Sequence, residues 1–131
     1  MRKVQTRPPS FSPVAPNQLL ERPPLSRWQV LCGDQGHWRA GIYAPGETSA
    51  AQCQELERHD CPEFFLLLHG RLTVVINEEG AVREVPLEPQ RPILITAPHS
   101  GFCPDGPHTG QALVIERDSF DTEYRSKTEW S

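Results

Sequence analysis

Hydrophobic residues occur along the middle of the chain in short runs, and turn-forming residues separate one run from the next. Aliphatic, aromatic and β-branched residues dominate the runs, while Gly, Pro and Asn lie between them, which is typical of β-strands joined by turns. Alternate residues of one run, Leu72, Val74 and Ile76, share one face of the predicted strand. The runs are RWQVLC, HWRAGIYA, EFFLLLHG, RLTVVIN, AVREVPLE, PILITA and QALVIER. Many short antiparallel strands of this kind predict an all-β barrel or sandwich.

The two ends of the chain differ in pattern from this middle part, which spans residues 28–118. Six of the fourteen prolines fall in residues 1–27. Proline removes backbone donors and fixes φ, so we expect an extended Pro-rich N-terminal arm outside the barrel. Residues 119–131 are polar and predict a C-terminal surface tail. Within the middle part, only residues 48–58 have a composition that suits one or two helical turns.

Composition and charge narrow the possible function classes. The 131 residues suffice for one domain with a core. The hydrophobic content of 37% and the charged content of 23% favour a soluble globular protein. A net charge of −4 gives no reason to expect nucleic acid or an anionic membrane as a partner, and no apolar stretch reaches the ~20 residues of a membrane span.

The four cysteines, Cys32, Cys53, Cys61 and Cys103, form no CxxC pair, so a structural zinc knuckle is not expected. The basic N-terminus has no apolar stretch of the kind that secretory signals contain. We therefore predict reduced thiols and a cytoplasmic protein.

The candidate chemistry begins in the segment HDCPEFFLLLHG, residues 59–70. His59 lies four residues before Glu63, and the Asp-Cys-Pro between them favours a bend. Such a bend allows the two side chains to point into one cavity, where imidazole and carboxylate suit Fe(II), Mn, Ni or Zn. From these two residues alone, an exposed strand-start carboxylate and an unrelated loop histidine remain an equally simple interpretation.

Later residues give this segment a family resemblance. Gly70 follows Glu63 after six residues, and Pro98-His99 follows the run PILITA. Over residues 38–118 this arrangement resembles the cupin superfamily, whose first motif has histidine, glutamate and glycine at this spacing and whose second ends in proline and histidine. The resemblance implies a double-stranded β-helix (a jelly-roll barrel) and a divalent metal ion bound by His59, Glu63 and His99. Glu57 stands where many cupins have a further histidine, and His108 is an alternative third ligand.

Within cupins, the segments EFF…HG, APHSG and ALVIER resemble the 3-hydroxyanthranilate dioxygenases. That family cleaves an aromatic ring with Fe(II), so the resemblance implies iron as the first choice of metal and Glu116 as a residue that faces the substrate. Cys103 stands where that family has an arginine for the substrate carboxylate, and we assign it a substrate-positioning role. Arg58 lies near the place of a second arginine.

These observations lead to one preferred hypothesis, a metal-dependent cupin oxygenase that acts on a small organic molecule in the barrel interior. The metal ion would hold substrate and oxygen on its open positions. Two alternatives remain open, namely a cupin that binds a small ligand or a metal without turnover, and a metal-free sugar isomerase or epimerase with a histidine base. We further expect a homodimer and a pocket closed at one end by aliphatic residues such as Leu72, Val74 and Ile95.

Overall fold

The computed structural model describes residues 1–21 and 25–131. Eleven strands and one short 3₁₀ helix account for the regular structure in this part of the chain. The strands are β1 (Arg2–Thr6), β2 (Trp28–Asp34), β3 (Trp38–Tyr43), β4 (Glu55–His59), β5 (Glu63–His69), β6 (Thr73–Glu78), β7 (Ala81–Pro86), β8 (Ile93–Ile95), β9 (His99–Phe102), β10 (Gln111–Arg117) and β11 (Phe120–Ser126), and the helical turn is Ala50–Gln52.

The strands form two antiparallel sheets. A six-stranded sheet has the order β1-β11-β4-β9-β6-β7, and a five-stranded sheet has the order β2-β3-β10-β5-β8. Strands that are distant in sequence lie side by side, since β4 pairs with both β9 and β11. This arrangement brings the end of β4 and the starts of β5 and β9 to one place.

The main hydrophobic core lies between the two sheets. It combines side chains from β5, β8 and β10 of one sheet with side chains from β6 and neighbouring residues of the other, namely Phe65, Leu67, Leu72, Val74, Ile76, Ile95, Cys103, Ala112 and Val114. Leu72, Val74 and Ile95, which the sequence analysis expected at the closed end of a pocket, lie in this core. Val75, on the opposite face of β6, packs in a second cluster with Cys53, Leu56, Phe102 and Trp130.

The C-terminal residues differ from the polar tail predicted for 119–131. Residues Phe120–Ser126 form β11, which pairs with β4 on one side and β1 on the other. Phe120 and Thr122 are buried at alternate positions, and Trp130 is buried in the second cluster. A few apolar and hydroxyl side chains at alternate positions are enough to form the buried face of β11, because the remaining side chains face solvent.

The N-terminal arm and the predicted helical region also differ in part. The arm is extended, but its residues 2–6 are built into the six-stranded sheet instead of lying outside the barrel; residues 22–24 of the predicted arm lie outside the described residues. In the region 48–58, one turn of 3₁₀ helix is followed by β4, because Leu56 is fully buried and its strand pairs with β11. No helix in the described ranges is long and apolar enough to cross a membrane.

Gly70 allows the sharp turn between β5 and β6. Its φ is +66°, and an added Cβ would lie 2.3 Å from the carbonyl oxygen of Thr109. Gly36 also has a positive φ, +82°, but faces open space.

We expect Gly36→Ala to lower the free energy of unfolding by about 1 kcal/mol through backbone strain alone, and Gly70→Ala by about 2.5 kcal/mol because a clash adds to the strain. Urea denaturation of both variants measures the difference, and equal losses would contradict the close packing at Gly70.

Candidate metal centre

Three strands bring His59, Glu63 and His99 together. His59 ends β4, Glu63 begins β5 after the bend at residues 60–62, and His99 begins β9 beside β4. His59 Nε2 lies 3.1 Å from Glu63 Oε1, and His99 Nε2 lies 2.6 Å from Glu63 Oε2. The bend predicted from Asp-Cys-Pro therefore aims His59 and Glu63 at each other, and His99 joins them.

Glu57 is a fourth member of the cluster that the sequence analysis did not assign as a ligand. Its Oε1 lies 3.6 Å from His59 Nε2 and 3.7 Å from His99 Nε2. Residues two apart on a strand share a face, so its position relative to His59 was an available signal. The residues Glu57, His59 and His99 offer ligand atoms within 4.8 Å of one another, as do His59, Glu63 and Glu116.

The hydrogen bonds behind the two imidazoles orient their Nε2 atoms towards the cluster. His99 Nδ1 lies 2.9 Å from the carbonyl oxygen of Ala97, which can only accept a hydrogen bond. Nδ1 must therefore carry a proton, and Nε2 of the neutral ring keeps a free lone pair. His59 Nδ1 lies 2.7 Å from Thr122 Oγ1. Such partners on the far nitrogen are typical of histidines that ligate metals.

Two buried atoms of the cluster have no hydrogen-bonding partner among the described residues, Glu63 Oε2 and His99 Nε2. They lie 2.6 Å apart, but without the angles of a hydrogen bond. A buried polar group without a partner is costly. The donor set of carboxylate oxygens and imidazole nitrogens thus fits a divalent metal ion, which would satisfy both atoms.

The electrostatics of the cluster favour added positive charge. Burial lowers the pKa of His59, but the carboxylates of Glu57 and Glu63 outweigh this effect and raise the pKa to about 10. Burial lowers the pKa of His99 too, and the charge of Glu63 reverses the direction, so its pKa is raised. Burial raises the pKa of Glu63, but the charge of His99 and the proximity of His59 bring it well below its usual value.

Glu116 lies at the edge of the cluster, paired with Arg39. Arg39 donates from Nε to Glu116 Oε2 at 2.7 Å, and its Nη2 lies 2.6 Å from the same oxygen. The two residues are directly opposite each other on β10 and β3. Burial and the neighbouring Glu63 raise the pKa of Glu116 to about 8 despite the charge of Arg39. The structure thus places Glu116 beside the predicted ligands.

The other residues considered in the sequence lie elsewhere. Cys103 is fully buried in the main core, where its Sγ contacts the backbone of Gly110, so it is not positioned to bind a substrate. His108 directs Nδ1 to the carbonyl oxygen of Ala44, whereas His99 contacts Glu63. Arg58 is on the opposite face of β4 from His59, with its guanidinium 5.1 Å from the ring of Trp130.

The cluster lines a cavity of about 230 Å³ between the sheets. Phe65 and Val114 belong both to the cavity wall and to the main core, so the core closes the inner end of the cavity. Aromatic side chains form much of the remaining wall, namely Trp28, Tyr43, Phe120 and Tyr124. The size and the walls suit a small, partly apolar molecule beside the cluster.

Comparison with known proteins adds evidence on the fold. The chain aligns with hydroxypropylphosphonic acid epoxidase from S. wedmorenis at 15% identity and a TM-score of 0.54, covering 84% of this chain and 64% of that one. It aligns with a cupin 2 domain-containing protein from Halorhodospira halophila at 17% identity and a TM-score of 0.55, covering 92% and 78%. The chain has the cupin fold. The all-β jelly-roll architecture predicted from the sequence is thereby confirmed.

These likenesses concern the fold only. Neither a protein-family model nor a curated protein sequence matches the chain. The chain spans about 64% of the length of the epoxidase structure. The likeness to 3-hydroxyanthranilate dioxygenases stays a prediction from the sequence.

Proposed function

We propose that this cupin binds one divalent metal ion through His59, Glu63 and His99, and acts as an oxygenase on a small organic molecule. The convergence of two imidazole nitrogens on the carboxylate of Glu63 carries the proposal. Two histidines and one carboxylate are the ligand set of non-haem Fe(II) oxygenases, so iron is the first choice, with Zn, Mn or Ni as alternatives. Hydroxypropylphosphonic acid epoxidase, a protein of the same fold, has been solved with iron(II) and with cobalt(II), which supports a divalent metal ion at this position.

A bound metal ion would supply Lewis acidity and open positions for substrate and oxygen. The chain's own residues would orient the substrate. Arg39 holds Oε2 of Glu116, which leaves Oε1 to carry the proton that a pKa of about 8 retains at neutral pH. In the proposal, this proton forms a hydrogen bond to an anionic or carbonyl oxygen of the substrate, while the aromatic walls hold its apolar part.

Metal affinity should depend on pH because a metal ion must displace the proton from His59. With a pKa of about 10 for His59, the apparent association constant for Zn²⁺ should rise about tenfold for each pH unit between 6.5 and 8.5. Displacement of a second proton from His99 would make the slope steeper. Competition titrations against a chromophoric chelator, corrected for the chelator's own protonation, measure the slope. An association constant that stays the same over this pH range would contradict the protonation of His59 in the metal-free protein.

Turnover is tested with the Fe(II)-loaded protein in an oxygen electrode. We expect substrate-dependent oxygen consumption with at least one member of a panel of small aromatic and thiol compounds, and its loss in Arg39→Met/Glu116→Met, which has no donor at this position, with metal still bound. Oxygen consumption equal to that of free Fe(II) across the panel would contradict the oxygenase proposal.

The position of Glu57 favours a second candidate, a cupin that binds metal without turnover. A fourth protein ligand leaves fewer open positions, and closed coordination is typical of structural metal sites. Glu57 Oε1 is within 3.7 Å of both imidazoles, so it is placed to close the site. If Glu57→Ala gains reactivity with oxygen while the unmodified protein has none, this second candidate is correct.

A further inference from the structure

The N-terminal residues form part of the wall of the cavity. We call residues 1–12 the strap. Its strand β1 pairs with the outer edge of β11, and Val4 and Thr6 line the cavity next to His59. Val4 lies opposite Thr122, the residue whose hydroxyl contacts His59. The strap therefore forms one side of the cavity wall.

Beyond the backbone pairing of β1 with β11, the ion pairs that hold the strap are exposed and therefore weak. Arg2 pairs with Glu55 at 3.0 Å, and Arg7 pairs with Asp121 at 3.0 Å, with all four side chains about half exposed. Exposed ion pairs contribute little to stability. Nearly all residues of β1 are exposed, and its outer edge has no neighbouring strand in the described sheet order. Local opening is easiest in segments with so few buried contacts.

One buried contact holds the far end of the strap. Asp118 is fully buried and accepts hydrogen bonds from the backbone N–H and hydroxyl of Ser10 and from the N–H of Gly36. The ring of Phe11 lies directly over Gly33, where an added Cβ would come within 2.6 Å of it. We call the contacts of Ser10 and Phe11 the latch.

Arg39 joins the latch to the metal centre. Its Nη1 donates to the carbonyl oxygen of Ser10 at 3.3 Å, while its Nε donates to Glu116. The same side chain thus contacts the strap and the carboxyl group that faces the cluster.

From this arrangement we propose that the strap is a latched wall of the cavity, and that release of the latch and opening of the strap admit the ligand. The inference rests on the proposed function only in taking this cavity as the ligand site. When the strap is closed, Val4 and Thr6 limit the size of the molecule that can lie beside the metal centre.

A reversible cross-link tests the proposal in metal-free protein. Gln5 and Asp121 are exposed and directly opposite each other on β1 and β11, so Gln5→Cys/Asp121→Cys would pin the strap when oxidised. Val114→Cys, in a Cys32→Ser background, places a reporter thiol on the cavity wall. Iodoacetamide reaches this reporter through the cavity, whereas the fully buried Cys103 reports global unfolding.

We expect alkylation of the reporter thiol to be at least tenfold slower in the oxidised protein than in the same protein after reduction, with Cys103 unreactive in both. Peptide mapping by mass spectrometry assigns the sites. Equal reporter rates in the two states would show that ligand-sized molecules enter without opening of the strap, and would overturn the proposal.

The latch is tested separately by Ser10→Ala/Phe11→Ala with the reporter thiol and without the cross-link. Alkylation of the reporter should be about fivefold to tenfold faster than with the latch intact, at unchanged protection of Cys103. An unchanged reporter rate would overturn the role of the latch. Neither experiment requires a bound metal, so failure of the strap proposal is distinguishable from failure of metal binding.

Discussion

Replacement of His99 by alanine is expected to reduce the bound metal from about one ion per chain to less than a tenth of an ion. His99 Nε2 contacts Glu63 and has no hydrogen-bonding partner in the described part of the chain, so its lone pair is available to a metal ion. Loss of one of three protein ligands removes a large share of the binding free energy of the metal ion. His59→Ala should have the same effect because His59 contacts the other oxygen of Glu63.

The matched control is His108→Ala, which removes a histidine of similar sequence context that lies outside the cluster. Metal content by mass spectrometry, after loading with one equivalent of Fe(II) under argon and desalting, compares the three variants. Circular dichroism melting curves establish that each variant is folded. If metal persists in His99→Ala and disappears in His108→Ala, the assigned ligand set is wrong.

Replacement of Arg39 by methionine is expected to lower the free energy of unfolding by about 4 kcal/mol at pH 9, because it leaves the carboxylate of Glu116 buried and unpaired. The side chains of Arg39 and Glu116 are only 11% and 3% exposed. The cost should be smaller at pH 6. Glu116 in the folded protein has a raised pKa, so the folded state binds more protons than the unfolded state above pH 4.5, and stability falls as pH rises. The charge of Arg39 lowers the pKa of Glu116, so in the variant without Arg39 the stability continues to fall up to a higher pH.

The double variant Arg39→Met/Glu116→Met is the control for this pair. It removes both charges and should recover more than half of the stability lost in Arg39→Met, since apolar replacement of a whole buried pair is often tolerated. The contact of Arg39 with Ser10 is lost in both variants, so it does not affect the comparison. Urea denaturation of the unmodified protein and both variants at pH 6 and pH 9 gives the six free energies of unfolding. A loss below about 1 kcal/mol in the single variant would mean that the pair behaves as a surface ion pair.

Local pattern was sufficient for most of the fold. The run EFFLLLH became β5 and TVVINE became β6, because short runs of apolar, β-branched and aromatic residues between turn residues form buried strands. The same reasoning failed for β11, where Phe120 and Thr122 are buried among charged neighbours. It also failed for β1, whose residues are nearly all exposed and which is a strand only because the edge of β11 is available for pairing.

The candidate site shows the same limit. The bend between His59 and Glu63 is local, so the sequence could predict that these two side chains meet. The pairing of Arg39 with Glu116 depends on the register of β3 against β10, strands far apart in the chain, and no local pattern encodes it. Cys103 was placed by analogy with an arginine, but its small side chain packs in the core instead of reaching the cavity.

The most direct test of the account is the metal content of the unmodified protein, purified without chelator and then loaded with Fe(II), Mn²⁺, Ni²⁺ or Zn²⁺ in separate samples. We expect about one tightly bound ion per chain with at least one of these metals, and its loss in both His59→Ala and His99→Ala. No bound metal under any loading condition would contradict the account, and would mean that the protonated histidines alone balance the charge of Glu57 and Glu63.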